Sequence, residues 1–120
     1  MSTSRIRLLV DIDIHPGKFA EFEAIAKQMI AVSEQEPGTL AFAFSLSADR
    51  SRARLVEGYA DAAAITAHFM GPSVQQFVPQ LLQVGTATRM EIYGDPGPQV
   101  AAIASGLGAE VFYSWEGFDR

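Results

Sequence analysis

The chain has 120 residues, of which 48% are hydrophobic and 19% are charged, and its formal net charge is −5. This length and composition are typical of one globular domain, and the negative charge argues against nucleic acid or a membrane as a partner. Cysteine is absent, which excludes disulfides and thiolate metal sites. No apolar stretch approaches the ~20 residues of a membrane span, and the first five residues lack the apolar run of a signal peptide. We expect a soluble, cytoplasmic protein whose residues 1–120 form a single domain.

The first half of the sequence predicts three strands and one helix. Apolar residues alternate over residues 5–14, which is typical of a strand with one apolar face. Residues 19–33 repeat apolar side chains at helical spacing, and Glu36-Pro37-Gly38 ends this helix. Alternation returns over residues 39–47 and over residues 52–59. The short polar link between these two strands predicts an antiparallel hairpin.

The second half predicts a helix, a strand and an extension. Asp61 stands at the position of a helix N-cap, and Gly71-Pro72-Ser73 interrupts a helix that then continues to Gly85. A fourth strand follows over residues 86–93. The order βαββαβ predicts an α+β, ferredoxin-like fold for the core of residues 5–95. Residues 96–120 predict a C-terminal extension made of one helix and one strand.

One face of the predicted sheet is left uncovered by the helices. We assign five residues to that mixed face: Leu9, Leu55, Glu57, Tyr59 and Tyr93. A surface with this many apolar and aromatic groups is seldom left in water. The sequence therefore predicts a homodimer in which the two sheets face each other.

His68 is the strongest candidate for chemistry. It follows Ala64 and Ile65 at helical spacing, which directs its imidazole into the layer between helix and sheet. An imidazole there can transfer a proton near neutral pH. The alternative is a structural histidine that stabilises the last carbonyl groups of its helix. His15 lies in a predicted turn, and two distant histidines do not form a metal site.

Large apolar side chains predict a cavity between the sheet and the helices. A pocket with so few polar groups should bind a small aromatic or lipophilic ligand. The residues assigned to its wall are Phe22, Phe42, Phe44, Phe77 and Met90. Packing in the core is the alternative explanation for most of these side chains.

Three short stretches occur together in this sequence. They are Pro16-Gly17-Lys18 ahead of a helix with Phe22; Glu36-Pro37-Gly38-Thr39-Leu40 ahead of a strand; and Glu57-Gly58-Tyr59-Ala60-Asp61 followed by Ala67-His68 and Gly71-Pro72. Their order and spacing resemble the antibiotic biosynthesis monooxygenase superfamily over residues 5–95. The resemblance implies a dimeric α/β barrel with a pocket in each subunit. It also implies oxidation of an aromatic phenol or hydroquinone by molecular oxygen, as in small quinol monooxygenases.

The resemblance assigns a role to His68, which matches a position where relatives often place a histidine or tryptophan facing the pocket. His68 would be the base, or a donor to the developing oxyanion. Haem-degrading relatives use an asparagine on the sheet and a haem-ligating histidine about ten residues after this position. This chain contains no asparagine and has Val78 there, so we expect no cofactor.

Two other functions remain open from the residues alone. The first is a non-enzymatic module that binds a small ligand, or assembles with a second copy, on the same dimeric fold. The second is an isomerase or decarboxylase, because one histidine in an apolar pocket can also serve proton transfer of that kind.

Overall fold

The computed structural model describes residues 5–120, which form a five-stranded sheet with helices on one face. The strands are β1 (Ile6–Ile14), β2 (Thr39–Leu46), β3 (Arg52–Tyr59), β4 (Gly85–Tyr93) and β5 (Glu110–Phe112). The helices are α1 (Phe19–Glu34), α2 (Ala62–Met70), α3 (Val78–Val84) and α4 (Pro98–Gly106), with a π-helical turn at Ser73–Phe77 between α2 and α3. The strand order across the sheet is β2-β3-β1-β4-β5.

The predicted fold class is confirmed. Strands β1 to β4 pair antiparallel, and β5 from the extension joins the edge of the sheet parallel to β4. Within residues 5–120, none of the helices combines the length and the apolar character that a bilayer-crossing helix requires. Residues 1–4, to which part of the signal-peptide expectation refers, lie outside the described residues.

One prediction about the sheet is wrong. Leu55, Glu57 and Tyr59 do not lie on the open face; they are buried under the helices, with 3%, 5% and 0% of their surface exposed. Successive side chains of a strand point to opposite faces, so the exposed Arg52 and Arg54 fix the phase of β3. The prediction let the polarity of Glu57 outweigh this alternation.

Two clusters of buried residues form the core. One joins α1 and α3 to the sheet and includes Ile12, Phe22 and Met29. The other joins α2 and α4 to the sheet and includes Tyr59 and Phe69. The α4 helix of the extension is therefore part of the core, not an appendage. Val10 of β1 packs against both clusters.

The loop after α1 fixes the position of α2, which carries His68. Asp61 caps α2 by accepting a hydrogen bond from the Ala64 N–H at 2.9 Å. Gly38 approaches the same residue so closely that a Cβ at position 38 would lie 2.5 Å from the Ala64 Cβ. Glycine is therefore required by the close approach of the loop, which also holds Glu36 against the helix.

We expect Gly38→Ala to lower the free energy of unfolding by about 1–3 kcal/mol, because its methyl group collides with Ala64. Adding Ala64→Gly removes that collision, and the double variant should lose only about 1 kcal/mol, the cost of glycine in a helix. Urea denaturation followed by circular dichroism measures both values. A single variant as stable as the wild type would contradict the close contact.

Candidate active site

A cavity of about 360 Å³ lies between the helices and the covered face of the sheet. Glu57, His68 and Thr86 contribute the polar side chains of its wall. The remaining wall is apolar and includes Leu8, Val10, Leu55, Val74, Val78 and Leu107. Such a cavity binds apolar ligands and orients them through a few polar groups.

The structure divides the residues that the sequence assigned to the site. His68, Phe42 and Met90 line the cavity. The other three are not part of the wall: Phe22 and Phe77 belong to the buried core, and the partly buried Phe44 packs against it. Periodicity indicates which side chains point inward, but it does not separate a cavity wall from solid core. A role of Phe42 and Met90 in substrate binding stays a prediction.

The His68 imidazole is 2% exposed and is held by one carboxylate. Its Nδ1 lies 2.8 Å from Oε1 of Glu36, an oxygen that also accepts the Thr39 hydroxyl at 2.7 Å. Because an ionised carboxylate only accepts hydrogen bonds, we assign the proton of the neutral ring to Nδ1. Nε2 then keeps its lone pair for the opposite side of the ring, where Glu57 and the cavity lie.

Burial governs the charge of this imidazole. Removal from water lowers the pKa of His68, and the neighbouring Glu36 carboxylate opposes that shift only in part. The ring is therefore neutral at pH 7, which is the form that can accept a proton.

Glu57 lies on the Nε2 side of the ring. Its Oε1 is 3.5 Å from Nε2 of His68 and accepts a hydrogen bond from the hydroxyl of Tyr59. Burial raises the pKa of Glu57 to about 8, opposed by the Tyr59 hydrogen bond and increased by the charge of Glu36. The carboxyl group is therefore protonated at pH 7.

Sequence reasoning missed three members of this cluster. The sequence indicates Glu36 only as the end of α1 and as part of a family motif, and it assigns Glu57 and Tyr59 to the wrong face. The alternation along β3 is the signal that could have placed Glu57 and Tyr59 correctly, because Arg52 and Arg54 must lie on the opposite face. No local signal pairs Glu36 with His68, because 32 residues separate them.

The arrangement places a neutral base beside a neutral acid in an apolar cavity. Nε2 of His68 can accept a proton from a weakly acidic hydroxyl group, and Glu36 stabilises the imidazolium that forms. The apolar wall lowers the local polarity around His68 and Glu57, which strengthens electrostatic interactions there. This geometry suits proton removal from a small, largely apolar substrate.

Several solved structures share this fold over most of the length of the chain. MupZ from Pseudomonas fluorescens superimposes with a TM-score of 0.83 at 18% identity, covering 100% of this chain and 92% of that chain. SnoaB from Streptomyces nogalater, a cofactor-independent oxygenase, has a TM-score of 0.68 at 16% identity, covering 79% and 96%. Rv0793 from Mycobacterium tuberculosis has a TM-score of 0.67 at 19% identity, covering 79% and 98%. At these identities the likeness shows the fold alone.

Sequence comparison identifies the family. No protein with a curated functional description matches the chain. The family model described as "Antibiotic biosynthesis monooxygenase" matches residues 5–80, which is more than half of the chain and includes Glu36, Glu57 and His68. The chain therefore belongs to the antibiotic biosynthesis monooxygenase family.

Proposed function

We propose that this protein is a monooxygenase that needs no cofactor and oxidises a small aromatic phenol or hydroquinone with molecular oxygen. The observation that carries the proposal is the buried His68, with Nδ1 held by Glu36 and the Nε2 lone pair directed to the side of Glu57 and the cavity. Family membership and the likeness to SnoaB, a cofactor-independent oxygenase, support the reaction class.

Deprotonation activates such a substrate, because a phenolate gives up electrons to oxygen more readily than the neutral phenol does. His68 accepts the hydroxyl proton at Nε2, and Glu36 stabilises the resulting imidazolium. The apolar wall binds the ring of the substrate and excludes water from the anion. The protein then has only to bind, orient and deprotonate its substrate.

The electrons balance without an external reductant. One atom of O₂ becomes a carbonyl oxygen at a ring carbon and replaces the hydrogen of that carbon. The other atom leaves as water, carrying that hydrogen and the hydrogen of the substrate hydroxyl. The product is a quinone, and the substrate supplies all four electrons that O₂ accepts.

We expect His68→Ala to lower kcat for oxygen consumption with a panel of quinols by about 10²–10⁴-fold, the usual contribution of a general base. Glu36→Gln should cause a smaller loss, because the ring stays but the charge that stabilises the imidazolium is removed. Glu34→Gln, an exposed change at the end of α1, serves as the control. An oxygen electrode gives the rates.

The same assay separates the proposal from the ligand-binding alternative. Undiminished oxygen consumption by His68→Ala would exclude the base role. Quinols that raise the Tm of the wild type without any oxygen consumption would favour a module that binds ligands without turning them over.

The raised pKa of Glu57 predicts a pH dependence of stability. Between the ordinary value of 4.5 and about 8, the folded protein retains a proton that the unfolded chain releases, so stability falls as pH rises through this window. His68, whose pKa is lowered, acts in the opposite direction: its contribution makes the folded protein less stable as pH falls below 6.5. Glu57→Gln removes only the first effect.

We therefore expect the stability of wild type relative to Glu57→Gln to decrease from pH 5 to pH 8, by up to about tenfold in the unfolding equilibrium constant per pH unit. Above that window the difference should become constant. Urea denaturation at several pH values measures it. A difference that does not change with pH would contradict a neutral, buried Glu57.

We also infer that two copies associate through the open face of the sheet. The side chains of Val56, Tyr93 and Phe112 are about 40% exposed there, and Leu9 lies opposite Val56 in the sheet register. Two ion pairs lie within this face: Asp11 with Arg54 at 2.6 Å, and Arg89 with Glu91 at 2.8 Å. Covering the face would therefore bury apolar surface without leaving these charges unpaired.

We expect the wild type to sediment as a dimer and Val56→Glu to sediment as a monomer, because an unpaired carboxylate would be buried at the centre of the interface. Ala31→Glu, on the exposed side of α1, should leave the dimer intact. Analytical ultracentrifugation distinguishes the two states. A wild-type monomer would contradict the inference.

A further inference from the structure

Among the described residues, two polar groups contact the carboxyl group of Glu57, and both contact the same oxygen. Oε1 accepts the hydroxyl of Tyr59 and lies 3.5 Å from Nε2 of His68. Within residues 5–120, Oε2 has no hydrogen-bond partner. Every fully buried side-chain oxygen there does have one, so Oε2 is not fully buried. Oε2 therefore borders the open space of the cavity, which Glu57 helps to line.

Few other groups in the cavity could stabilise a negative charge on a substrate. Among the described residues, no lysine or arginine lines the wall. The Thr86 hydroxyl is 2.9 Å from Nε2 of His15, with which it shares a hydrogen bond. Glu57 remains as a donor when it is protonated, and it lies on the same side of the cavity as the base His68.

In the part of the chain that the structure describes, three titratable groups surround Glu57. They are Tyr59 on its own strand, His68 on α2 and Glu36 in the loop after α1. The neighbouring strands β1 and β2 place only Leu8 and Phe42 beside it in the sheet register. The protonation of Glu57 is thus controlled by burial, by the Tyr59 hydrogen bond and by the charge of Glu36.

We propose that Glu57 is a second catalytic residue, whose Oε2 donates a hydrogen bond to the substrate oxygen that loses its proton to Nε2 of His68. The inference rests on the proposed function, because it concerns the same cavity and phenolic substrates. Tyr59 is a positioning residue: its hydrogen bond occupies Oε1 and leaves Oε2 for the substrate. The hydrogen bond from Oε2 strengthens as negative charge develops, so Glu57 stabilises the phenolate more than the phenol.

This role predicts how the affinity for a phenolate depends on pH. Below about 8 the carboxyl group of Glu57 is neutral and donates; above that value it is an anion that repels a phenolate. Tyr59, whose pKa is raised, stays protonated, and His68, whose pKa is lowered, is already neutral. Neither group changes its charge between pH 8 and pH 10.

The probe for this test is 4-nitrophenol, which is ionised above pH 8 and is read by its absorbance without turnover. We expect its Kd for the wild type to rise about tenfold per pH unit above pH 8. In Glu57→Gln the amide still donates a hydrogen bond but does not ionise, so its Kd should stay constant over the same range. Glu34→Gln should retain the wild-type slope.

Two results would overturn the role of Glu57: a wild-type Kd that is constant from pH 8 to pH 10, or the same rise in Glu57→Gln. A second variant keeps the test decisive if Glu57→Gln does not fold. Tyr59→Phe removes the hydrogen bond that lowers the pKa of Glu57, so the onset of weaker binding should move to higher pH. An unchanged onset would also contradict the proposal.

The two assays together distinguish a failure of the role of Glu57 from a failure of the proposed function. The expected slopes without oxygen consumption on quinols would establish Glu57 as a donor to phenolates and overturn oxygenation. Oxygen consumption with a Kd that does not depend on pH would overturn the role of Glu57 alone. A wild type that does not bind 4-nitrophenol at all would overturn this inference as well.

Discussion

The hydrogen bond between Nδ1 of His68 and Glu36 is the contact on which the site depends. A buried N–H group needs an acceptor, and Glu36 supplies one to Nδ1 of His68 from a segment 32 residues away. That bond sets the tautomer and therefore leaves the Nε2 lone pair on the side of Glu57. The close approach of Gly38 to Ala64 brings the loop near enough to make it.

Burial shifts the pKa values of Glu57 and His68 in opposite directions and leaves both groups neutral. Loss of water raises the pKa of an acid and lowers the pKa of a base, so Glu57 and His68 are both neutral at pH 7. An uncharged cavity admits an apolar ring without stripping water from a resident ion. The open face of the sheet differs, because it carries charged groups, among them the ion pairs Asp11–Arg54 and Arg89–Glu91.

The candidate site was only partly predictable from the sequence. The helical position of His68 correctly indicated that its ring points between helix and sheet, because that direction follows from the residues three and four positions away. The same reasoning did not distinguish Phe42, which lines the cavity, from Phe44, which packs against the core two positions later. Alternation predicts the face on which a side chain lies, but not whether that side chain borders a cavity or packs against other side chains. The polarity of Glu57 suggests the open face, whereas the alternation along β3 places it on the covered one.

The sequence by itself determined the order of the elements, the N-cap of α2 at Asp61, its interruption at Gly71 and the α+β class. These features follow from caps, turns and periodicities that act among near neighbours. Only the tertiary structure decided that Glu36, His68, Glu57 and Tyr59 meet, because three separate segments must pack together before their side chains touch. Their protonation states were decided at the same level, since a pKa depends on how much water the finished core excludes.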